Sequence, residues 1–199
     1  MRSSTLSTKK GRLAIAGLTV ACALAGAASA SAQSGGTPPP GGTEPPPSTT
    51  PAPTGPPAKA KLTKSGIAIA PPSAPYQVQQ AIAAGNAIHT LPYKWGGGHN
   101  TTFLDTGYDC SGAVSYVLHA AGLLASPMPS GPLANAWGVA GKGQWITVYA
   151  NASHTYAVIA GLRWDTSAVG EKLNQGSGPR WRNTKRKPVG YTQKYSPGL

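Results

Sequence analysis

Acidic side chains are scarce in this 199-residue chain. Five Asp and Glu stand against 17 Lys and Arg, for a net charge of +12. Any role that needs a carboxylate therefore has few candidates. Cysteine is rarer still, with only Cys22 and Cys110. The four histidines are scattered, and no His-Glu or Cys-Cys spacing forms a metal cluster, which argues against a zinc site. No internal repeat of solenoid or tandem-module length is visible. The longest apolar run, from Leu13 to about Ala28, falls short of the roughly 20 residues that a membrane-spanning helix needs.

That run belongs instead to a secretory signal peptide over residues 1–32. Arg2, Lys9, Lys10 and Arg12 make a basic start, and Ala28-Ser29-Ala30-Ser31-Ala32 is a small-residue cleavage region. Thr19-Val20-Ala21-Cys22 lacks the leucine usual at a lipoprotein site, and the apolar run continues past it. Processing then leaves Cys110 as a single cysteine in an oxidising compartment, without an intramolecular partner. Such a cysteine is either a reactive thiol or half of an intermolecular bridge.

Residues 33–75 read as a linker. Thr37-Pro38-Pro39-Pro40-Gly41-Gly42 and Glu44-Pro45-Pro46-Pro47 have almost nothing apolar to bury, so ordering them costs entropy without return. Their composition favours an extended, polyproline-like spacer. Residues 76–199 are enough for one domain with a single core.

Within that domain, Tyr108-Asp109-Cys110-Ser111-Gly112 opens a helix whose Val114, Val117, Leu118 and Ala121 recur at the spacing of a buried face. Asp109 stands at the N-cap position. Cys110 falls in the first turn, where the helix dipole favours thiolate over thiol. Gly122 is a natural stop. Upstream, Val78, Ile82 and Ile88 give Tyr76–His89 a thin apolar stripe, consistent with a short amphipathic helix. Ser126–Gly143, rich in Pro and Gly, reads as loop. Trp145–Tyr149, His154–Ala160 and Leu162–Thr166 then read as three strands, with turns at Ala150–Ser153 and Gly161. Helices followed by an antiparallel meander indicate an α+β domain with helices on one face of a sheet.

Pro92-Tyr93-Lys94-Trp95-Gly96-Gly97, then Tyr108-Asp109-Cys110-Ser111-Gly112, then a strand opening at His154, 44 positions after Cys110, resemble the NlpC/P60 cysteine peptidases. The Asp-Cys-Ser-Gly box is only moderately specific alone; the combination, spread over Tyr76 to about Thr166, is much more so. The resemblance implies a papain-like core and hydrolysis of peptidoglycan stem peptides, most often between D-glutamate and the diamino acid. It also puts the catalytic base at His154.

A cysteine hydrolase needs a thiolate, an imidazole within reach and a group that orients the imidazole, and no cofactor. His89 and His99 lie on the approach to the glycine turn, and His119 is nine residues along the nucleophile helix, too far to face Cys110. His154, at the start of a strand, can be held rigidly. Asp165, 11 positions later on the adjoining strand, is placed by antiparallel pairing near His154. It stands where the family usually has a histidine or another polar residue, and it could also cap the turn at Thr166 and Ser167. From the resemblance, Tyr93 would help hold substrate or an oxyanion, and Asp109 and Ser111 would help recognise the stem peptide. Trp95 suits cleft or core equally. Backbone N–H groups at the helix start are the natural oxyanion donors.

Without Arg2, Lys9, Lys10 and Arg12, the net charge of +12 becomes +8. Much of it lies in Arg180–Lys187, a basic C-terminal extension. An exported chain does not meet nucleic acid, so anionic wall polymers and stem-peptide carboxylates are the sensible partners, with a solvated basic edge as the alternative. Two further classes stay open: a non-catalytic wall-binding module, and an amidase, thioesterase or acyltransferase on the same core.

Overall fold

The computed structural model describes residues 57–171 and 177–199. The leader expected at residues 1–32, and the linker as far as residue 56, lie outside them. In chain order the elements are β1 (Lys61–Leu62), β2 (Ala68–Ile69), α1 (Tyr76–Ile88), α2 (Cys110–Ala120), α3 (Ser130–Asn135), β3 (Val139–Ala140), β4 (Ile146–Ala150), β5 (Thr155–Ile159), β6 (Leu162–Asp165), β7 (Arg180–Arg182) and β8 (Thr192–Tyr195). β1 and β2 form a two-stranded pair, and the rest form a six-stranded sheet in the order β3–β8–β4–β5–β6–β7. Every pairing is antiparallel. The expected α+β class is what is seen.

The two long helices follow their apolar spacing. Val78, Ala81, Ile82 and Ile88 of α1 are buried, as are Val114, Val117 and Leu118 of α2. α1 packs on α2; α2 rests on β5 and β6, and α1 also reaches β5. Ile146, Val148, Ala157, Ile159 and Trp164 supply the sheet side of the core. Two contacts fix the spacing between layers. The indole N–H of Trp164 donates to the Ala113 carbonyl at 2.9 Å, locking β6 to the start of α2. Trp181 of β7 sits against Gly85 of α1, where a Cβ would come within 2.4 Å of the indole. Leaving an indole without its packing typically costs about 3–5 kcal/mol, so Gly85 matters for what it lacks.

Three expectations need correction. The linker, expected to reach residue 75, ends sooner. Ala60, Ala68 and Ala74 are buried in the core, Ala60 N–H donates to Ala160 at 2.8 Å, and both backbone groups of Ala68 bond the Asn86 amide. A few small apolar residues among the prolines suffice to dock this segment. The loop expected over Ser126–Gly143 holds α3 and the short β3; Gly131 and Pro132 conceal a helix of six residues. The basic C-terminal extension is part of the sheet: β8 inserts between β3 and β4, and β7 closes the far edge. Arg180 turns inward to cap α1, donating to the carbonyls of His89 and Leu91. Among the described residues, no helix is long and apolar enough to cross a membrane.

Candidate active site

α2 begins where the chain must brake. Asp109, in an extended conformation, caps the helix by accepting the Gly112 N–H on Oδ1 at 2.7 Å. The glycine turn Gly96–Gly98 is pressed against this end. A Cβ on Gly112 would lie 1.9 Å from the Gly97 carbonyl oxygen, and one on Gly97 would lie 2.2 Å from that of Gly107. Only hydrogen at these positions lets the two backbones meet. Cys110, free and half-buried, is thereby held in the first helical turn. With Gly112 and Ala113 bonded to Asp109, the Cys110 and Ser111 amides remain as donors that no helical carbonyl can take.

His154 arrives from the sheet. Oδ1 of Asn151 accepts the N–H groups of Ser153 and His154, both at 2.9 Å, forming the turn that delivers the imidazole ahead of β5. Nε2 of His154 lies 3.0 Å from Oδ1 of Asp165, and Cys110 is close enough to the ring to act on its pKa. Asp165 occupies Nε2, so Nδ1 is the ring nitrogen left to exchange a proton with a thiol. Burial pulls the imidazole pKa down, but the hydrogen bonds and charges of Asp165 and Cys110 outweigh it and push the value up to about 9. Cys110, His154 and Asp165, three residues singled out from sequence, thus stand in one line. Asp165 also accepts the Ser167 N–H at 2.8 Å, so the turn-capping bond and the bond to His154 coexist.

Asp165 is itself clamped. Its side chain is fully buried, with Arg186 Nη1 at 3.1 Å from Oδ2 and Arg163 Nε at 3.5 Å. Arg186 in turn donates to the Tyr191 hydroxyl at 2.8 Å and lies over the rings of Tyr156 and Tyr191. Sequence reasoning did not reach Arg186; it looked like one charge in a basic run.

The cleft beside Cys110 has a volume of about 570 Å³ and is lined by Tyr93, Trp95, His99, Asp109, Ser111 and Ser153, among others. Trp95 is 88% exposed and belongs to the cleft, not the core. Tyr93 is drawn close to Cys110; burial first, then Cys110 and Asp109, raise its pKa. Asp109 and Ser111 border the cleft, but the Asp109 carboxylate already accepts from Gly96, Gly112, Ser111 and His99. That nearly fills its acceptor capacity. His99 is the cleft residue that sequence reasoning placed only on the approach to the turn; its Nε2 lies 3.1 Å from the Ser111 hydroxyl. The other two histidines lie elsewhere: His119 stacks on Phe103, and His89 bonds the Asn86 carbonyl. Among the described residues no group of His, Cys, Asp and Glu could hold a metal.

No family model matches this chain, and no curated protein matches it. Two solved structures are similar. One is a hypothetical invasion protein of Mycobacterium tuberculosis, at 21% identity over 70% of this chain and 71% of that one, with a TM-score of 0.42. The other is the peptidoglycan hydrolase RipB of the same organism, at 20% identity over 66% of this chain and 74% of that one, with a TM-score of 0.43.

Proposed function

We propose that the chain is an exported cysteine hydrolase of the NlpC/P60 type that cleaves amide bonds in peptidoglycan stem peptides. The observation that carries this reading is the line Cys110–His154–Asp165, held at a helix N-terminus inside an open cleft. The NlpC/P60-like motifs around Tyr93, Cys110 and His154 supply the substrate class, and with it the bond between D-glutamate and the diamino acid.

In this mechanism the proton of the Cys110 thiol is held by His154, and the sulfur attacks the scissile carbonyl carbon. Negative charge develops on the carbonyl oxygen, within reach of the first-turn amides. The C–N bond breaks, and His154 returns the proton to the leaving amine. Water then attacks the thioester as His154 accepts its proton; the acid departs and the thiol is restored. Asp165 touches none of the reacting atoms and keeps the imidazole in orientation. Tyr93 and Trp95 offer apolar and hydroxyl contacts to the peptide. The exposed Lys185 and Lys187 are left for anionic wall polymers, since Arg180 and Arg182 are turned inward.

Purified sacculi digested by the mature chain should release fragments with new amino termini on the diamino acid. Cys110→Ala should release none while melting like the parent. Undiminished digestion by that variant would end the reading. Sacculus binding without product from either protein would leave a wall-binding module in its place.

A further inference from the structure

The sheet carries a further concave site, bordered by Arg163 and Arg186, the two arginines that flank Asp165. A cavity of about 420 Å³ is bordered by Lys59, Lys142, Arg163, Arg182, Lys185 and Arg186. Strand register builds its floor: Val158 faces Arg163 and Arg163 faces Arg182 across β5, β6 and β7, while Tyr149 faces Tyr156 across β4 and β5. Two arginines directly opposite each other repel. Within the described residues there are only four acids, and two of them are occupied elsewhere, Asp105 with Lys94 and Asp109 with His99. Asp165 and Glu171 alone offset this cluster, so the cations outnumber the acids six to two.

Three of the lining residues also carry buried polar atoms without a hydrogen-bond partner: the Tyr156 hydroxyl, the Thr184 hydroxyl, and Nε and Nη2 of Arg163. The Arg163 nitrogens reach Asp165 and Glu171 only at ion-pair distances of 3.5 and 3.8 Å. Tyr156 and Arg163 are 1% and 2% exposed. Buried donors left unmatched are costly, and donors gathered under an excess of positive charge match an acceptor-only ligand. We infer that this cavity binds a phosphate-class oxyanion, whose several acceptor oxygens and negative charge complement the two hydroxyls, the Arg163 fork and the surplus cations. The ion is either free or carried in a phosphodiester polymer, and the two sources share this chemistry. Because Arg186 borders the cavity and also holds Asp165, the occupant sits one side chain from the orienting carboxylate. The inference does not depend on hydrolase chemistry in the cleft.

The test is calorimetry and thermal melting of the mature chain with inorganic phosphate, with a glycerol phosphodiester, and with sodium chloride at matched ionic strength. A single saturable phosphate site, with a melting temperature raised above the chloride control, is expected. Tyr156→Phe and Thr184→Val, which change no charge, should each weaken phosphate at least tenfold. Tyr156→Phe should also melt higher than the parent without phosphate, because it removes the unmatched hydroxyl. Tighter binding of the diester would identify a polymer as the source, and tighter binding of the free ion would identify phosphate itself. No response beyond the chloride control, or an equal response in the parent and in Thr184→Val, would overturn the inference.

Discussion

Asp165 Oδ1 lies 3.0 Å from His154 Nε2, and the Asp165 side chain has no solvent exposure at all. The imidazole is therefore oriented by a buried carboxylate that cannot turn away to water. Asp165→Asn keeps the shape but can accept the ring N–H only through its amide oxygen, and it removes the charge that steadies an imidazolium. Turnover should fall by about 10²–10⁴-fold. Melting should also drop, because Arg163 and Arg186 lose their counter-charge. Rates corrected for the folded fraction check this.

The strands that hold this pair were legible before any coordinates. Ile146–Ala150, Thr155–Ile159 and Leu162–Asp165 are β-rich runs separated by turn residues, and their hairpins are local, so pairing followed from adjacency. The pairing of His154 with Asp165 was legible for the same reason, whereas Cys110 was marked by its place at a helix start and was tied to His154 by the NlpC/P60 resemblance. β7 and β8 were not: Arg180-Trp181-Arg182 and Thr192–Tyr195 are polar runs whose identity as strands depends on partners far away in sequence. Arg186 and His99 were hidden likewise, since nothing local marks a side chain that acts on Asp165 or Asp109. The β1–β2 pair was masked by the prolines around it.

The pH dependence follows from His154. Its pKa is raised in the folded chain from 6.5 to about 9, so the protonated ring is the favoured form. The stabilisation this gives is fully present below about pH 6.5 and is lost as pH rises through about 9. Activity that relies on the protonated imidazole should decline on the alkaline side with an apparent pKa near 9. His154→Gln should remove the corresponding loss of stability between pH 6.5 and 9, which urea titrations across that range would measure.

Arg186 bonds Oδ2 of Asp165 at 3.1 Å and lies 3.5 Å from Nε2 of His154, so it is placed to position that pair and not to touch the reacting atoms. Arg186→Gln should lower kcat by about tenfold, roughly 1.4 kcal/mol, with KM little changed. Arg186→Lys should recover part of this by keeping the charge while losing the planar fork. A KM effect without a kcat effect would mean that Arg186 meets substrate instead.

Gly112 tests the close packing behind the nucleophile. Gly112→Ala would drive a methyl into the Gly97 carbonyl, and neither backbone can yield cheaply, so a loss of at least about 1–3 kcal/mol is expected. Gly131→Ala in α3 meets nothing within 4 Å and should melt within a degree or two of the parent or higher, since alanine is the better helix former. Differential scanning calorimetry of the pair distinguishes steric conflict from a general intolerance of substitution.

The most direct measurement is the rate at which iodoacetamide alkylates Cys110 at neutral pH, read by mass spectrometry in the parent and in His154→Ala. A thiol coupled to His154 should react well above the rate of an unperturbed cysteine, and the variant should lose most of that excess. Equal, slow rates in both proteins would contradict the account, because the sulfur would then be no nucleophile.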